Sequence, residues 1–403
     1  MINSRVELFI VKIVLLIQKM VLYLVSCSFI YHSVEKTSNI LLLRTAALGD
    51  FIFTIPALAA LRDALPESNI TLLTSTTTNL KQKEKVGCYV DSYTLPWLRF
   101  VIPSIIDQAI CFDLHDRVSL KKSIRSKVKN LRPDVVIILA HPGEPATGLL
   151  KKIIFLRYLG VKCKIIGWHT HSSIGWYRKT QYAHHLYEHH IYGPLRSIEE
   201  LPQVPIVDKL DIDFPLNLGL PARSWCVNLW DTKHWAANCI VIAVAPGSIQ
   251  PHKQWPVENY IKLIGTLKNE FELEIVIIGT KNDLGLGRMI VESLDSGIVN
   301  LAGETSLSES AALLERCSLL VGNDGGAMHL GAAVGCPVVS IISGIEYPGS
   351  IEPWFNKESA VRHAVNCAPC YNFTHCPKGH NRCINDLSVK SVFMMCEYIL
   401  QKL

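Results

Sequence analysis

The sequence has no GxxxxGK[ST] element. No GxGxxG follows its first strand-like run with an acid about 20 residues further on. The first absence excludes a P-loop nucleotide triphosphatase and the second a nicotinamide dehydrogenase. There is little charge bias: the formal net charge is +5 and the pI about 8.5. That is too mild for a nucleic-acid binder, so no nucleic-acid partner is expected. It suits an acidic substrate or an anionic membrane surface. There is no low-complexity tract. There is also no long uncharged apolar run: the longest stretch in the apolar N-terminus, 20–34, has 15 residues. A spanning helix needs about 20. No cleavage site marks that segment as a signal peptide.

Cysteine, by contrast, is plentiful, with 13 in 403 residues. Nine are scattered singly, and most of these read as small core residues. That distribution fits a reducing compartment, so a cytoplasmic protein is expected. Within the N-terminal segment 1–34, Arg5, Lys12 and Lys19 recur every seven residues. On a helix they share a face that drifts only about 20° per heptad. A cationic stripe on an apolar helix predicts an anchor lying on the inner face of the membrane. A non-native leader from an upstream start, or a helix packed on the body, are the alternatives.

A chain of this length exceeds one ordinary core, so two domains are expected. Strand-like runs at 40–44, 70–74, 135–139 and 164–167 alternate with helical stretches, the first helix being expected over 51–65. The stretch 201–223 carries four prolines and no helical period, and reads as a linker. Alternation then restarts, with strands at 240–245, 274–278, 319–321 and 338–342 and helices at 257–271, 307–316 and 327–334. Strands separated by helices predict parallel sheets. The expected organisation is an N-terminal Rossmann-like domain over 35–205, a linker over 206–224 and a C-terminal Rossmann-like domain over 225–403. Ligands of such folds sit beyond the carboxyl ends of the strands.

Three stretches at those strand ends carry chemistry. "RTAALGD" ends on Asp50, at a strand-to-helix joint. There the carboxylate caps the helix, or serves as a base if partial burial raises its pKa. "APGSIQPHKQWP" offers a tight turn with Ser248 and a point charge, Lys253, for an anion. "LLVGNDGGAMHLGAAVGCP" runs from a strand into a helix N-terminus, a ready site for a diphosphate. In it, Gly325 and Gly326 allow close backbone approach, Asp324 is placed to cap the helix and His329 lies one turn in. A capped helix behind a turn, with His329 a core residue, is the plain alternative. One D-x-D, 211–213, lies in the proline-rich stretch and reads as solvated.

Together the three motifs resemble the ADP-heptose:lipopolysaccharide heptosyltransferases, glycosyltransferase family nine, from residue 40 to the C-terminus. The resemblance implies an α/β GT-B fold, two Rossmann-like domains facing a central cleft, with the acceptor on the first and the nucleotide sugar on the second. It implies inverting transfer of heptose from ADP-heptose to an anionic glycolipid such as the lipopolysaccharide inner core, without a metal at the reaction centre. Asp50 then matches the general base. Lys253 would steady the leaving diphosphate. Ser248, Lys253, Asp283, Asp324, Gly325, Gly326 and His329 match the donor-binding residues. Two departures stand out. Gly325 occupies a position where a threonine or serine is common. The stretch "LAHPGEPATG", 139–148, replaces the family's D-x-Q-G-like segment. Two other readings are a protein-modifying heptosyltransferase of the autotransporter type and a nucleotide-sugar-binding protein without activity.

The four remaining cysteines, Cys367, Cys370, Cys376 and Cys383, form C-x2-C-x5-C-x6-C. That spacing suits a structural zinc or iron, and reduced or disulfide-paired cysteines closing a loop are the alternative. The cluster is far along the chain from the other motifs, so it is expected to be structural. A histidine-rich stretch, 169–196, places His185 and His189 on one helical face. With no acidic third ligand it reads as a cationic, aromatic surface for a phosphorylated acceptor, or as a solvated helix.

Overall fold

Ile40 to Leu43 are four consecutive aliphatic residues, all buried. A strand buried on both faces is what a parallel sheet covered by helices produces. The structure, a computed structural model, describes residues 38–45, 47–75, 96–112, 124–140, 146–167, 189–205, 212–294 and 297–403. The N-terminal segment 1–34, His185 and Asp211 lie outside the described residues. Among the described residues no helix is long and apolar enough to cross a membrane. The chain divides into two compact units, Met1–Pro215 and Leu216–Leu403.

The first unit contains β1 (Asn39–Leu43), α1 (Leu48–Ile52), α2 (Ile55–Ala64), β2 (Asn69–Ser75), β3 (Gln108–Phe112), α3 (Arg125–Leu131), β4 (Val135–Ile138), α4 (Ala146–Tyr158), β5 (Lys164–Ile166) and α5 (Tyr192–Ile198). Its sheet runs β3-β2-β1-β4-β5, every pair parallel. The helix expected over 51–65 is two helices. Pro56 lacks an N–H and its ring would clash with the carbonyl four residues back, so the chain turns at Phe53 and Thr54 before restarting. The edge strand β3 was not expected. It is five residues long and pairs with β2 alone among the described strands.

The second unit contains α6 (Leu220–Lys233), β6 (Val241–Ala245), α7 (Val257–Glu270), β7 (Glu274–Ile277), α8 (Leu284–Leu294), β8 (Ile298–Asn300), α9 (Leu307–Arg316), β9 (Leu319–Asn323), α10 (Gly326–Ala333), β10 (Val338–Ile341), β11 (Ala360–Val361), α11 (Arg382–Asn385) and α12 (Val389–Leu400). Its sheet runs β11-β10-β9-β6-β7-β8, again all parallel. The proline-rich stretch read as linker gives way to helix earlier than expected. Pro221 sits in the first turn of α6, where its missing N–H costs nothing, and Ala222, Cys226 and Trp230 form a buried stripe at i, i+4, i+8.

Each sheet has one place where the strand order reverses: between β1 and β4 in the first unit, and between β6 and β9 in the second. The crevice outside the carboxyl ends of such strands is where open α/β sheets bind ligands. The C-terminal core is built on the second sheet with α7, α8 and α12, and Trp255 and Tyr260 are fully buried within it. Burying an indole removes roughly 200 Å² from water, worth about 5 kcal/mol. That burial fixes the segment between β6 and α7 that carries Lys253.

Candidate functional site

Asp50 lies beyond the carboxyl end of β1, at the reversal point of the first sheet. It is the third residue of α1, not its cap: Ala47 holds the cap position, with no side-chain hydrogen bond. The two residues after Asp50 anchor the helix. Phe51 is buried against Trp97, ring centroids 3.9 Å apart, and Ile52 is buried beside it. Phe53 meets His189 edge-on at 4.9 Å. Asp50 is therefore presented half-exposed on a helix pinned by its apolar neighbours.

Arg44, the last residue before this loop, is a buried cation that no motif singled out. Its guanidinium donates to the Leu139 carbonyl at the end of β4 and to the Asp50 carbonyl, at 2.9 and 3.0 Å. It laces the two strands of the reversal point together and ties the Asp50 turn to them.

The second reversal point is built the same way. Asn323, at the end of β9, is buried and donates through Nδ2 to the Pro246 carbonyl beyond β6 at 2.7 Å. Its Oδ1 accepts from the Trp255 backbone N–H at 2.9 Å. One amide therefore fixes both the Pro246–Ser248 turn and the segment after Lys253. Gly322, just before it, permits the close approach of β9 and β6: a Cβ there would stand 2.5 Å from the Ala245 carbonyl oxygen.

Around that frame the expected donor residues converge. Lys253 Nζ is 2.8 Å from Asp324 Oδ2, and both side chains are largely buried. His329 Nε2 lies 3.9 Å from the other Asp324 oxygen. Asp324 thus does not cap α10, whose cap residue is Gly325 with no side-chain cap bond. The carboxylate is drawn instead to the lysine, because a buried cation needs an opposite charge more than a helix end needs a cap. The first N–H groups of α10 have no intrahelical partner and face the same edge, the geometry that binds anions.

Ser248 belongs to the same turn, its Oγ accepting from the Gln250 N–H at 3.3 Å. Asp283 closes a capping box with Thr280, Oδ2 accepting from the Thr280 N–H and hydroxyl at 2.7 and 2.8 Å. Its carboxylate presses on Gly247, where any Cβ would collide with it. A site built of one lysine, a hydroxyl, helix N–H groups and a carboxylate at the rim suits a diphosphate flanked by hydroxyl-bearing sugars.

This chain is matched over residues 145–379, more than half its length, by the family model described as glycosyltransferase family 9 (heptosyltransferase). The chain belongs to glycosyltransferase family 9. Among curated family members, lipopolysaccharide heptosyltransferase 2 of Salmonella typhimurium is 34% identical over 185 residues, covering 42% of this chain and 47% of that protein. The chain thus spans about half the length of the curated relatives it matches. Among solved structures, the glycosyl transferase family 9 protein of Veillonella parvula aligns with a TM-score of 0.65 at 20% identity, covering 93% of this chain and 99% of that one. The E. coli ADP-heptose lps heptosyltransferase II aligns with a TM-score of 0.62 at 17% identity, covering 90% and 99%. The two parallel-sheet units are thus those of the GT-B heptosyltransferases.

Nine of the 11 described cysteines of this family 9 protein fall into two groups, Cys163 and Cys239 being partly exposed singletons apart from them. Cys111, Cys226, Cys317, Cys336 and Cys396 are buried, and burial pushes the Cys111 thiol up to about 11 and the Cys336 thiol up to about 12. Such thiols are inert core residues. Cys367, Cys370, Cys376 and Cys383 are free thiols, half-exposed, with no disulfide among them. Burial pushes the Cys383 thiol up, and the neighbouring Cys370, Cys376 and Cys367 push it the same way. Burial also acts to raise the Cys376 thiol, but the backbone N–H groups of Asn381, Lys378, His380 and Gly379 together hold it below the usual thiol range. In type and spacing the four suit zinc or iron. In position they do not: among the described residues no group of three or more His, Cys, Asp or Glu is gathered as a metal centre.

The cluster is not remote from the donor residues, as distance along the chain suggested. Phe373, inside the cysteine loop, stands over Lys253 with Nζ 5.9 Å from the ring centroid. The Asn372 backbone comes near the His252 imidazole, whose pKa burial lowers while that backbone acts against the shift. His189, from the histidine-rich stretch, is buried and accepts from the Ile191 N–H through Nδ1, so it serves the start of α5.

Proposed function

We propose that the chain is an inverting glycosyltransferase that moves heptose from ADP-heptose onto an anionic glycolipid, the inner core of lipopolysaccharide. The observation that carries this reading is the Lys253–Asp324 pair at the reversal point of the second sheet, beside the open N-terminus of α10. The family's relatives support the sugar and the acceptor, being named lipopolysaccharide heptosyltransferases. One structural neighbour is named for ADP-heptose.

In this reading Asp50 takes the proton of the acceptor hydroxyl as its oxygen attacks the anomeric carbon. The bond from that carbon to the diphosphate oxygen breaks, and ADP leaves with the electron pair. A positioned carboxylate supplies the first step. Lys253 and the helix N–H groups stabilise the negative charge that grows on the leaving group. Asp283 is assigned to the ribose, Ser248 and Lys253 to the phosphates, and Asp324, Gly325, Gly326 and His329 to phosphate and sugar. The enzyme would act in the cytoplasm, at the inner face of the membrane where a lipid-borne acceptor is presented. The cysteine loop enters as a structural element, and metal analysis of the purified protein decides whether its thiolates hold zinc or iron.

Calorimetric titration with ADP, UDP and NADH, beside Lys253→Ala, tests the donor. Selective ADP binding that the variant loses is the expected result. Tighter binding of UDP or NADH removes the heptose assignment. Transfer from ADP-heptose to heptose-deficient lipopolysaccharide tests the acceptor.

A further inference from the structure

The cysteine loop is stitched to the carboxyl edge of the second sheet at two places. After β10, the Cys370 N–H donates to the Gly344 carbonyl at 3.1 Å and the Tyr371 N–H to the Ile345 carbonyl at 2.9 Å. Gly344 is a glycine for this reason: a Cβ there would stand 2.8 Å from that of Ala368 and 3.1 Å from that of Cys383. After β6, Phe373 makes the other contact, through its ring to Lys253. The strand order is β10-β9-β6. A loop fastened beyond β10 and again beyond β6 passes the end of β9, where Asp324 stands. Phe373 is more than a third exposed, and an aromatic ring left in water beside a buried lysine is not there to fill a core.

We propose that the cysteine loop is a wall of the donor-diphosphate site, in which Phe373 is a positioning residue that holds Lys253 toward the phosphates. This rests on the nucleotide-diphosphate reading above. The ring face attracts the ammonium at the end of the Pro251–Lys253 turn. Coupling between two parts of a protein is reciprocal. If the state of the loop changes the affinity for a diphosphate, a bound diphosphate changes the accessibility of the loop's thiols by the same linkage. The cluster would then be a handle by which thiol chemistry alters donor binding, although no cysteine is assigned a contact with the donor.

The test uses the full chain and ADP as the probe. Phe373→Leu keeps the bulk and removes the ring face. It is expected to weaken ADP binding about three- to fivefold, with Phe373→Tyr within twofold of the wild type. Melting temperatures of the three proteins should agree, since the position is exposed. In parallel, the wild type is alkylated with iodoacetamide with and without ADP, and each cysteine is followed by mass spectrometry. ADP should slow modification of Cys367, Cys370, Cys376 and Cys383. It should leave Cys239 unchanged, because that residue lies before β6, at the opposite end of the sheet. If Phe373→Leu fails to fold, the alkylation result decides alone. Wild-type ADP binding with unchanged affinity in Phe373→Leu and unprotected thiols overturns this inference and leaves the donor reading standing. A wild type that binds no ADP overturns both.

Discussion

Lys253 Nζ and Asp324 Oδ2 are 2.8 Å apart, and their side chains keep only 14% and 7% of their exposure. A pair this buried is not a stability device, since its desolvation offsets much of its attraction. It is better understood as a charge stored in place. Asp324 lets an ammonium be held where water is scarce, next to the open end of α10, and on the proposed reading an incoming diphosphate would meet a cation already positioned.

Removing one partner therefore harms more than removing both. Lys253→Met leaves Asp324 as an uncompensated buried charge, which costs about 3 kcal/mol of stability. It also removes a charge-assisted hydrogen bond to the ligand, about 10- to 100-fold in ADP affinity. The double variant Lys253→Met/Asp324→Asn should regain most of the stability and none of the affinity. A double-mutant cycle by urea unfolding, with calorimetry on each protein, checks both halves. Additive losses in stability would mean that the pair is not coupled.

Asp50→Asn keeps the size and polarity of the side chain and removes its basicity. The turnover number should fall by about 10²- to 10⁴-fold. The affinity for ADP should not change, because the residues assigned to the donor all belong to the second unit. A fall in ADP affinity of similar size to the loss in turnover would point to a structural role instead.

Glu200 gives a pH signature independent of catalysis. Burial raises its carboxyl from 4.5 to about 7, against the opposing hydrogen bond from the Gly167 N–H at 2.7 Å. The folded chain thus holds this proton longer than the unfolded one. Stability is unaffected well below the unfolded value. It falls as pH rises from 4.5 to about 7 and is level above that. At about 1.4 kcal/mol per unit the loss is on the order of 3 kcal/mol. Glu200→Gln keeps the acceptor and removes the titration. Urea midpoints of the two proteins should diverge across that window, the variant becoming the more stable at pH 7.5. Parallel curves would show that the carboxyl titrates normally.

The alternation of strands and helices could be read because strands covered on both faces are continuous aliphatic runs, such as Ile40 to Leu43 and Val241 to Ala245. The residues that gather at the second reversal point could be read because glycines and charges at strand ends have few other uses. What escaped the sequence were relations that close only in space. α6 was hidden because Pro221 is a breaker inside a helix but a starter at its first turn. The contact of Phe373 with Lys253 spans 120 positions, and no local pattern announces it. Arg44 and Asn323 were passed over because a buried arginine or asparagine acts through carbonyls, and carbonyls leave no mark in a sequence.

Those two residues carry the last prediction. Each stands at the end of a central strand, and each spans a reversal point by donating to a backbone carbonyl beyond the neighbouring strand: Arg44 to Leu139 and Asn323 to Pro246. Asn323→Leu is close in size but leaves the Pro246 carbonyl and the Trp255 N–H unsatisfied, at about 1–3 kcal/mol each. Because the same amide positions the Ser248 turn and the Lys253 segment, ADP affinity should fall about tenfold while the fold persists. Asn323→Asp separates the two functions of the side chain. A carboxylate still accepts from Trp255 at 2.9 Å but sets an oxygen against the Pro246 carbonyl, now at 2.7 Å from Nδ2. It should therefore move the turn that carries Ser248 more than the segment that carries Lys253. Calorimetry with ADP and with inorganic pyrophosphate on all three proteins reads this out. Both variants should lose affinity for both ligands. Asn323→Leu that is destabilised yet binds ADP as tightly as the wild type would reduce the amide to a packing element.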